Sequence, residues 1–241
     1  MDPLGALQAA IALALFPGGI FVLVLAALIV PIPARELRLT VAEMAGILAA
    51  LAAAALAPLP GSVLTTLPPP PAAGVPANLL AAAVLEAAAF ALCGRSERGR
   101  ASTAVALIPL VPLSMLAAGA STLSLPILVS LPGTMVIAAR ALIAGALLTA
   151  APTLFAPTGR VPAASAVALA SLVVLAASLS LQPLVDRASP PLVAASIAVG
   201  ALVYGRYVAW VTRTSAAHPP MTVLVALQGA AGLATVLLAR L

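Results

Sequence analysis

Residues 78–95, NLLAAAVLEAAAFALCGR, form an apolar run broken once near its middle by Glu86. Glu86 stands eight residues after Asn78 and nine before Arg95, which in a helix is about 12–14 Å from either end. An 18-residue apolar helix nearly spans a bilayer, so the carboxyl is expected close to its midplane. An ionised side chain there costs at least roughly 2.5–3.5 kcal/mol, and more if it faces lipid. The stretch therefore demands a bundle: other helices must surround Glu86 and shield it.

The rest of the chain has the same character. Its 241 residues are 63% hydrophobic and 7% charged, with a mean hydropathy of +1.22. Soluble domains are usually about half apolar, and the surplus here would leave large sticky surfaces in water. The expected solvent is lipid, and the expected fold is an all-α, polytopic transmembrane bundle forming one domain over residues 1–241.

A crossing needs about 20 mainly apolar residues. Cutting at charged, Pro-rich and Gly-rich breaks gives eight candidate spans, roughly 6–32, 41–60, 76–94, 103–124, 130–152, 162–182, 190–212 and 221–240. Hydropathy alone allows seven or eight, and the alternation of charge between successive loops favours eight. The first contains Pro17-Gly18-Gly19 and should kink or unwind there. Pro132, Pro162 and Pro190 stand at starts of spans, where their missing N–H is harmless. Between spans four and five, STLSLPILVSLPG reads either as a tight turn or as part of a re-entrant stretch. The N-terminus lacks a basic leader region, so the first span is expected to be retained.

All basic residues except His218 are arginine, eleven of them, alongside six acids. Such a bias accompanies GC-rich bacterial genomes. Arg35 and Arg38 follow span one, Arg95, Arg98 and Arg100 span three, and Arg160 span five, while Arg206 and Arg213 flank the end of span seven. The opposite side has Arg187 and Arg240, and residues 61–75 carry no charge. The positive-inside rule then predicts cytoplasmic odd-numbered loops, both termini exoplasmic, and a bacterial cytoplasmic (inner) membrane location. The arginines are too scattered for a nucleic-acid groove. Cys93 and His218 are each the sole residue of their type, which leaves neither a disulfide nor a metal cluster to build. No cofactor is expected.

Few residues remain to carry chemistry. Arg140 lies as deep in span five as Glu86 does in span three, and two buried groups of opposite sign invite pairing. Glu86 and Arg140 are therefore expected to meet inside the bundle. That contact would be a static pair or a protonatable relay step, unless Glu86 faces a neighbouring subunit instead. Glu43, three to four residues deeper than the loop charges Arg35, Glu36 and Arg38, is a candidate for the mouth of a cytoplasmic half-channel. Tyr204, Tyr207 and Trp210 recur every three residues between Arg206 and Arg213, the pattern of an interfacial aromatic belt with snorkelling arginines. An aromatic wall for a ring-shaped ligand such as a quinone would use the same residues. Phosphate-binding, HExxH, CxxC and G-x-S-x-G motifs are all missing from the sequence, and catalysis by this chain alone is not expected.

Residues 57–131 run from APLPGS through a Pro-rich loop, NLLAAAVLEAAAFALCGR and a short basic loop to PLVPLSMLAAGASTLSLPILVSL. This order resembles the middle of the H subunit of respiratory complex I and its counterparts in membrane-bound hydrogenases. Eight spans with both termini outside agree with that family. The loop IPARELRLTVAEM lacks the family's Arg-x-Gly-Pro-type signature and long amphipathic helix, and APTLFAPTGRVPAA replaces its acid-rich loop. The resemblance thus implies a scaffold or anchor among other membrane subunits, with a peripheral redox module as partner and no quinone cavity of its own. Glu86 would then belong to a lateral charged path. The alternative expectation is a small secondary transporter whose midplane site lies at broken helices, around PGG in span one and Pro109, Pro112 and Pro126 near span four.

Overall fold

The computed structural model describes residues 14–30, 39–59, 78–93, 108–154, 161–185, 189–213 and 218–239. Arg35, Glu36, Arg38, Arg95, Arg98, Arg100, Arg160, Arg187 and Arg240 lie outside them. The described elements are helices throughout: α1 (Gly19–Ile29), α2 (Val41–Ala55), α3 (Leu79–Cys93), α4 (Leu110–Gly119), α5 (Leu125–Ser130), α6 (Thr134–Ala150), α7 (Ala163–Val185), α8 (Pro190–Arg213) and α9 (His218–Leu238). A 3-10 turn, Ala151–Leu154, continues α6.

Local chemistry sets the boundaries. Residues 15–18 leave helical geometry, and α1 begins only at Gly19, so the Pro17-Gly18-Gly19 break lies where the sequence predicts it. At α2, Thr40 and Glu43 form a reciprocal capping box. Glu43 N donates to Thr40 Oγ1 at 3.2 Å, and Thr40 N donates to Glu43 Oε2 at 2.8 Å. Two of the N–H groups that a helix start leaves unpaired are satisfied in this way. At the end of α4, Ser121 takes a positive φ of 49°. Its N–H donates to Ala118 O and the N–H of Thr122 to Ala117 O, at 3.0 and 3.1 Å, the pattern of a Schellman motif.

Each of the eight expected spans overlaps one of these helices, with α7, α8 and α9 running up to three residues beyond the expected bounds, and α5 is additional. The stretch STLSLPILVSLPG is neither a plain turn nor a full crossing but a six-residue helix, packed against α7. Length and apolarity qualify two segments as crossings on their own, Ala163–Leu181 and Pro191–Arg213. Helices α1, α2, α3, α4 and α6 and the Val223–Leu238 part of α9 are apolar over 10–17 residues, short of the roughly 20 that a bilayer requires.

Helix α7 is the axis of the fold. Residues 164–179 are buried without interruption, because α1, α2, α3, α5, α6 and α8 all pack on it. A helix that is apolar all round and enclosed all round has no amphipathic face to orient it. Its neighbours approach closely through small residues: Ala50, Ala53 and Ala54 from α2, Ala82 and Ala89 from α3. Helices α4 and α9 pack on α6 around a second, smaller core that includes Leu116, Leu128 and Ile143.

The polarity of the bundle runs opposite to that of a water-soluble one. Five charged residues occur among those described, and three of them, Glu43, Glu86 and Arg140, are buried. Large aliphatics meanwhile face outward at helical spacing: Ile20, Leu23 and Val24 on α1, Val41, Met44 and Leu48 on α2, and Leu80 and Val84 on α3. Helix α8 exposes Leu192, Val199, Leu202 and Val203.

Candidate functional site: a polar seam around the central helix

The inward face of α3 carries Ala82, Glu86, Ala89 and Cys93, positions that recur at helical spacing. Glu86, 7% exposed, points at α7, where Ser171 Oγ lies 2.8 Å from Glu86 Oε2. The same hydroxyl lies 2.8 Å from the carbonyl oxygen of Ala50 on α2. Three helices therefore converge on one serine.

Proton counting constrains this node. A serine hydroxyl has one proton to donate and can also accept. A carbonyl only accepts, so for both contacts to be hydrogen bonds Ser171 donates to Ala50 O. The contact to Glu86 is then a hydrogen bond only if the carboxyl holds a proton and donates it to Ser171. In this arrangement Glu86 is a neutral acid, and its remaining oxygen, Oε1, has no hydrogen-bond partner among the described residues. An orphaned neutral carbonyl is far less costly here than an orphaned carboxylate.

A second layer lies seven residues along each of α2 and α3, about 10 Å away at helical rise. Ser165 Oγ donates to Cys93 O at 2.8 Å, and Cys93 Sγ lies 3.9 Å from Glu43 O. Gly46 makes the approach possible, since a Cβ on it would come within 2.5 Å of Cys93 Sγ. The start of α2, the end of α3 and the start of α7 thus share one end of the bundle. At the other end, Leu79 N at the start of α3 donates to Leu123 O beyond α4 at 2.8 Å.

The expected Glu86–Arg140 pair does not form: the carboxyl bonds Ser171, and Arg140 is engaged elsewhere. Fully buried, Arg140 donates through Nη1 to Leu128 O at 3.0 Å and to Val129 O. These are last-turn carbonyls of α5, which a helix leaves without internal partners and where its dipole favours a cation. Spacing identified both residues as buried, but opposite sign alone does not make them neighbours. The guanidinium is matched by main-chain oxygens, which side-chain identities do not reveal.

Glu43, expected at a channel mouth, is buried in the first turn of α2, where it closes the capping box with the N-cap residue Thr40; the T-x-x-E pattern of residues 40–43 signals this. The aromatic group divides. Tyr204 is buried, and its hydroxyl donates to Leu148 O at 2.9 Å, while Tyr207 donates to Thr149 O at 3.1 Å. Both close the C-terminal end of α6 rather than facing outward. Tyr207 stacks between Tyr204 and Trp210, at centroid distances of 6.0 and 6.3 Å. Trp210 is 50% exposed, and Arg206 and Arg213 are exposed beside it.

Compared with known protein families, curated proteins and solved structures, the chain matches none.

Proposed function

We propose that this chain is an eight-crossing integral membrane subunit, a scaffold and anchor in a multi-subunit energy-converting assembly of a bacterial cytoplasmic membrane. One observation carries the membrane reading: acids, arginine and serines occupy the interior while aliphatic side chains cover the outside. In water that distribution would expose far more contiguous apolar surface than a monomer tolerates; in hydrocarbon it is the low-energy one.

The ends of the helices support an alternating path. The end shared by Glu43, Cys93 and Ser165 is the one to which the sequence joins Arg38, Arg95 and Arg160. Tyr204 and Tyr207 bond the end of α6, so α8 runs parallel to α6, as two odd-numbered spans should. Grouping of arginines at one end agrees with a cytoplasmic placement of the odd-numbered loops and with exoplasmic termini.

The scaffold reading rests on the resemblance of residues 57–131 to the H subunit of complex I and on the broad apolar faces of α8 and α9. Other membrane subunits and a peripheral redox module are its partners. The neutral Glu86–Ser171 node is a place where a proton can reside between helices, which agrees with a contribution to a lateral proton path. Gentle purification from the native membrane tests this reading. Stoichiometric redox or antiporter-like subunits are expected, and a lone monomer or homodimer overturns it.

A second reading, a small secondary transporter, draws on the interrupted α4–α5–α6 region. There a buried arginine meets the open carbonyls of a short helix, as at discontinuous helices that line transport sites. Recovery of the chain alone, together with solute uptake in proteoliposomes abolished by Arg140→Met, favours that reading.

A further inference from the structure

Helix α8 carries Arg206, Trp210 and Arg213 at i, i+4 and i+7, on one face. All three are exposed. Neither arginine has a hydrogen bond or ion pair within the described structure, and among the described residues the acids, Glu43 and Glu86, are both buried. Above this face, Leu192, Val199, Leu202 and Val203 continue the exposed surface of the helix toward its start. Arg206 stands seven residues before the end of α8, about 10 Å inside it. Tyr204 and Tyr207 fix the rotation of α8 by bonding α6, so Arg206 cannot turn inward to find a partner.

On the membrane reading above, an arginine at that depth on an outward face needs an anion that follows the helix surface into the bilayer. We propose that Arg206, Trp210 and Arg213 form a binding site for the phosphate headgroup of an anionic phospholipid. The two guanidinium groups bracket the phosphate, and the indole, between them in sequence, packs against the glycerol and upper acyl chain. A guanidinium presents a fork of N–H donors suited to phosphate. Indoles favour the same depth, with an apolar body and one polar edge. An acidic segment of a partner subunit would match the charge but not the aliphatic strip that continues from it, which suits an acyl chain.

Trp210 is the only tryptophan in the chain, so its fluorescence reports on the site directly. The full-length protein is reconstituted in phosphatidylcholine nanodiscs. Dibrominated phosphatidylglycerol or dibrominated phosphatidylcholine is then introduced at equal fractions, and quenching of Trp210 is measured. The anionic lipid is expected to quench in preference to the neutral one. The preference should fall about five-fold for each of Arg206→Gln and Arg213→Gln and survive Arg206→Lys/Arg213→Lys in large part. Equal quenching by both lipids overturns the site while leaving α8 in the bilayer. Quenching by neither overturns the membrane placement of α8 itself. An unaltered preference in the double glutamine variant, or loss of a co-purifying subunit from that variant with no change in quenching, assigns the arginines to another partner and also overturns the site.

Discussion

Glu86→Gln separates a neutral hydrogen-bonded acid from a buried ion pair, because the two arrangements respond to it by very different amounts. In the node described above, the glutamine amide keeps the size of the carboxyl and takes over donation to Ser171, leaving Ser171 free to donate to Ala50 O as before. One amide hydrogen gains no partner, and the expected cost is about 1 kcal/mol. Were Glu86 an ionised partner of a buried cation, the same substitution would strand that cation, at about 3–5 kcal/mol. Glu86→Ala, which loses the bond and leaves a void against Ala50 and Ser171, should cost about 2–5 kcal/mol. Ser171→Ala leaves the acid buried without a partner, at about 1–3 kcal/mol. In the Glu86→Gln/Ser171→Ala double variant the costs should not simply add, since the two residues share one bond.

Cys93 makes the measurement direct. It is the only cysteine, it is fully buried, and it lies on the same face of α3 as Glu86. A thiol-reactive fluorophore therefore remains dark until this interface opens in a thermal ramp. For a chain of this size 1 kcal/mol moves the midpoint by about 2–4 °C. Glutamine should shift it by that amount and alanine by clearly more. A glutamine variant that unfolds as early as the alanine variant would refute the neutral node.

Two glycines of α8 provide an internal control: a Cβ on Gly205 would meet the backbone of Ile29 at 2.6 Å, whereas nothing lies within 4 Å of Gly200. Gly205→Ala should thus destabilise by about 1–3 kcal/mol and Gly200→Ala should be neutral or gain up to about 1 kcal/mol, as read by thermal melts. Ser121→Gly relieves the left-handed backbone after α4 and should stabilise by about 1 kcal/mol; an unchanged melt would contradict a strained Ser121. Arg140→Met removes the bonds to the last turn of α5, so a cysteine introduced at Ser130 in a Cys93→Ala background should react faster with a maleimide. An unaltered rate would show that Arg140 does not hold α5.

Sequence and structure agree where a property depends on spacing along one helix. Glu86 and Arg140 stand within long apolar runs and are buried, and the break before Gly19 follows from consecutive Pro and Gly. Properties set by pairs distant in the chain were hidden. Ser171 is separated from Glu86 by 85 positions and sits among other serines on an Ala-rich helix, so no local pattern singles it out. Tyr204 and Tyr207 share the period of a belt with Trp210, yet three-residue steps turn by about 300°, enough to carry successive rings from the interior to the surface. The T-x-x-E pattern of residues 40–43 is a capping signal that the channel-mouth reading of Glu43 does not use, and capping neither supports nor removes that role.

The enclosure of α7 has a consequence for biogenesis. Helices α1, α2, α3, α5 and α6 precede it in the chain, whereas α8 follows it. As synthesis proceeds, α7 enters a socket whose walls have already emerged, and α8 arrives afterward to shut the remaining side. A ribosome stalled before Pro190 would therefore release a socket with one wall missing, a form that quality-control proteases should recognise and the finished chain should escape.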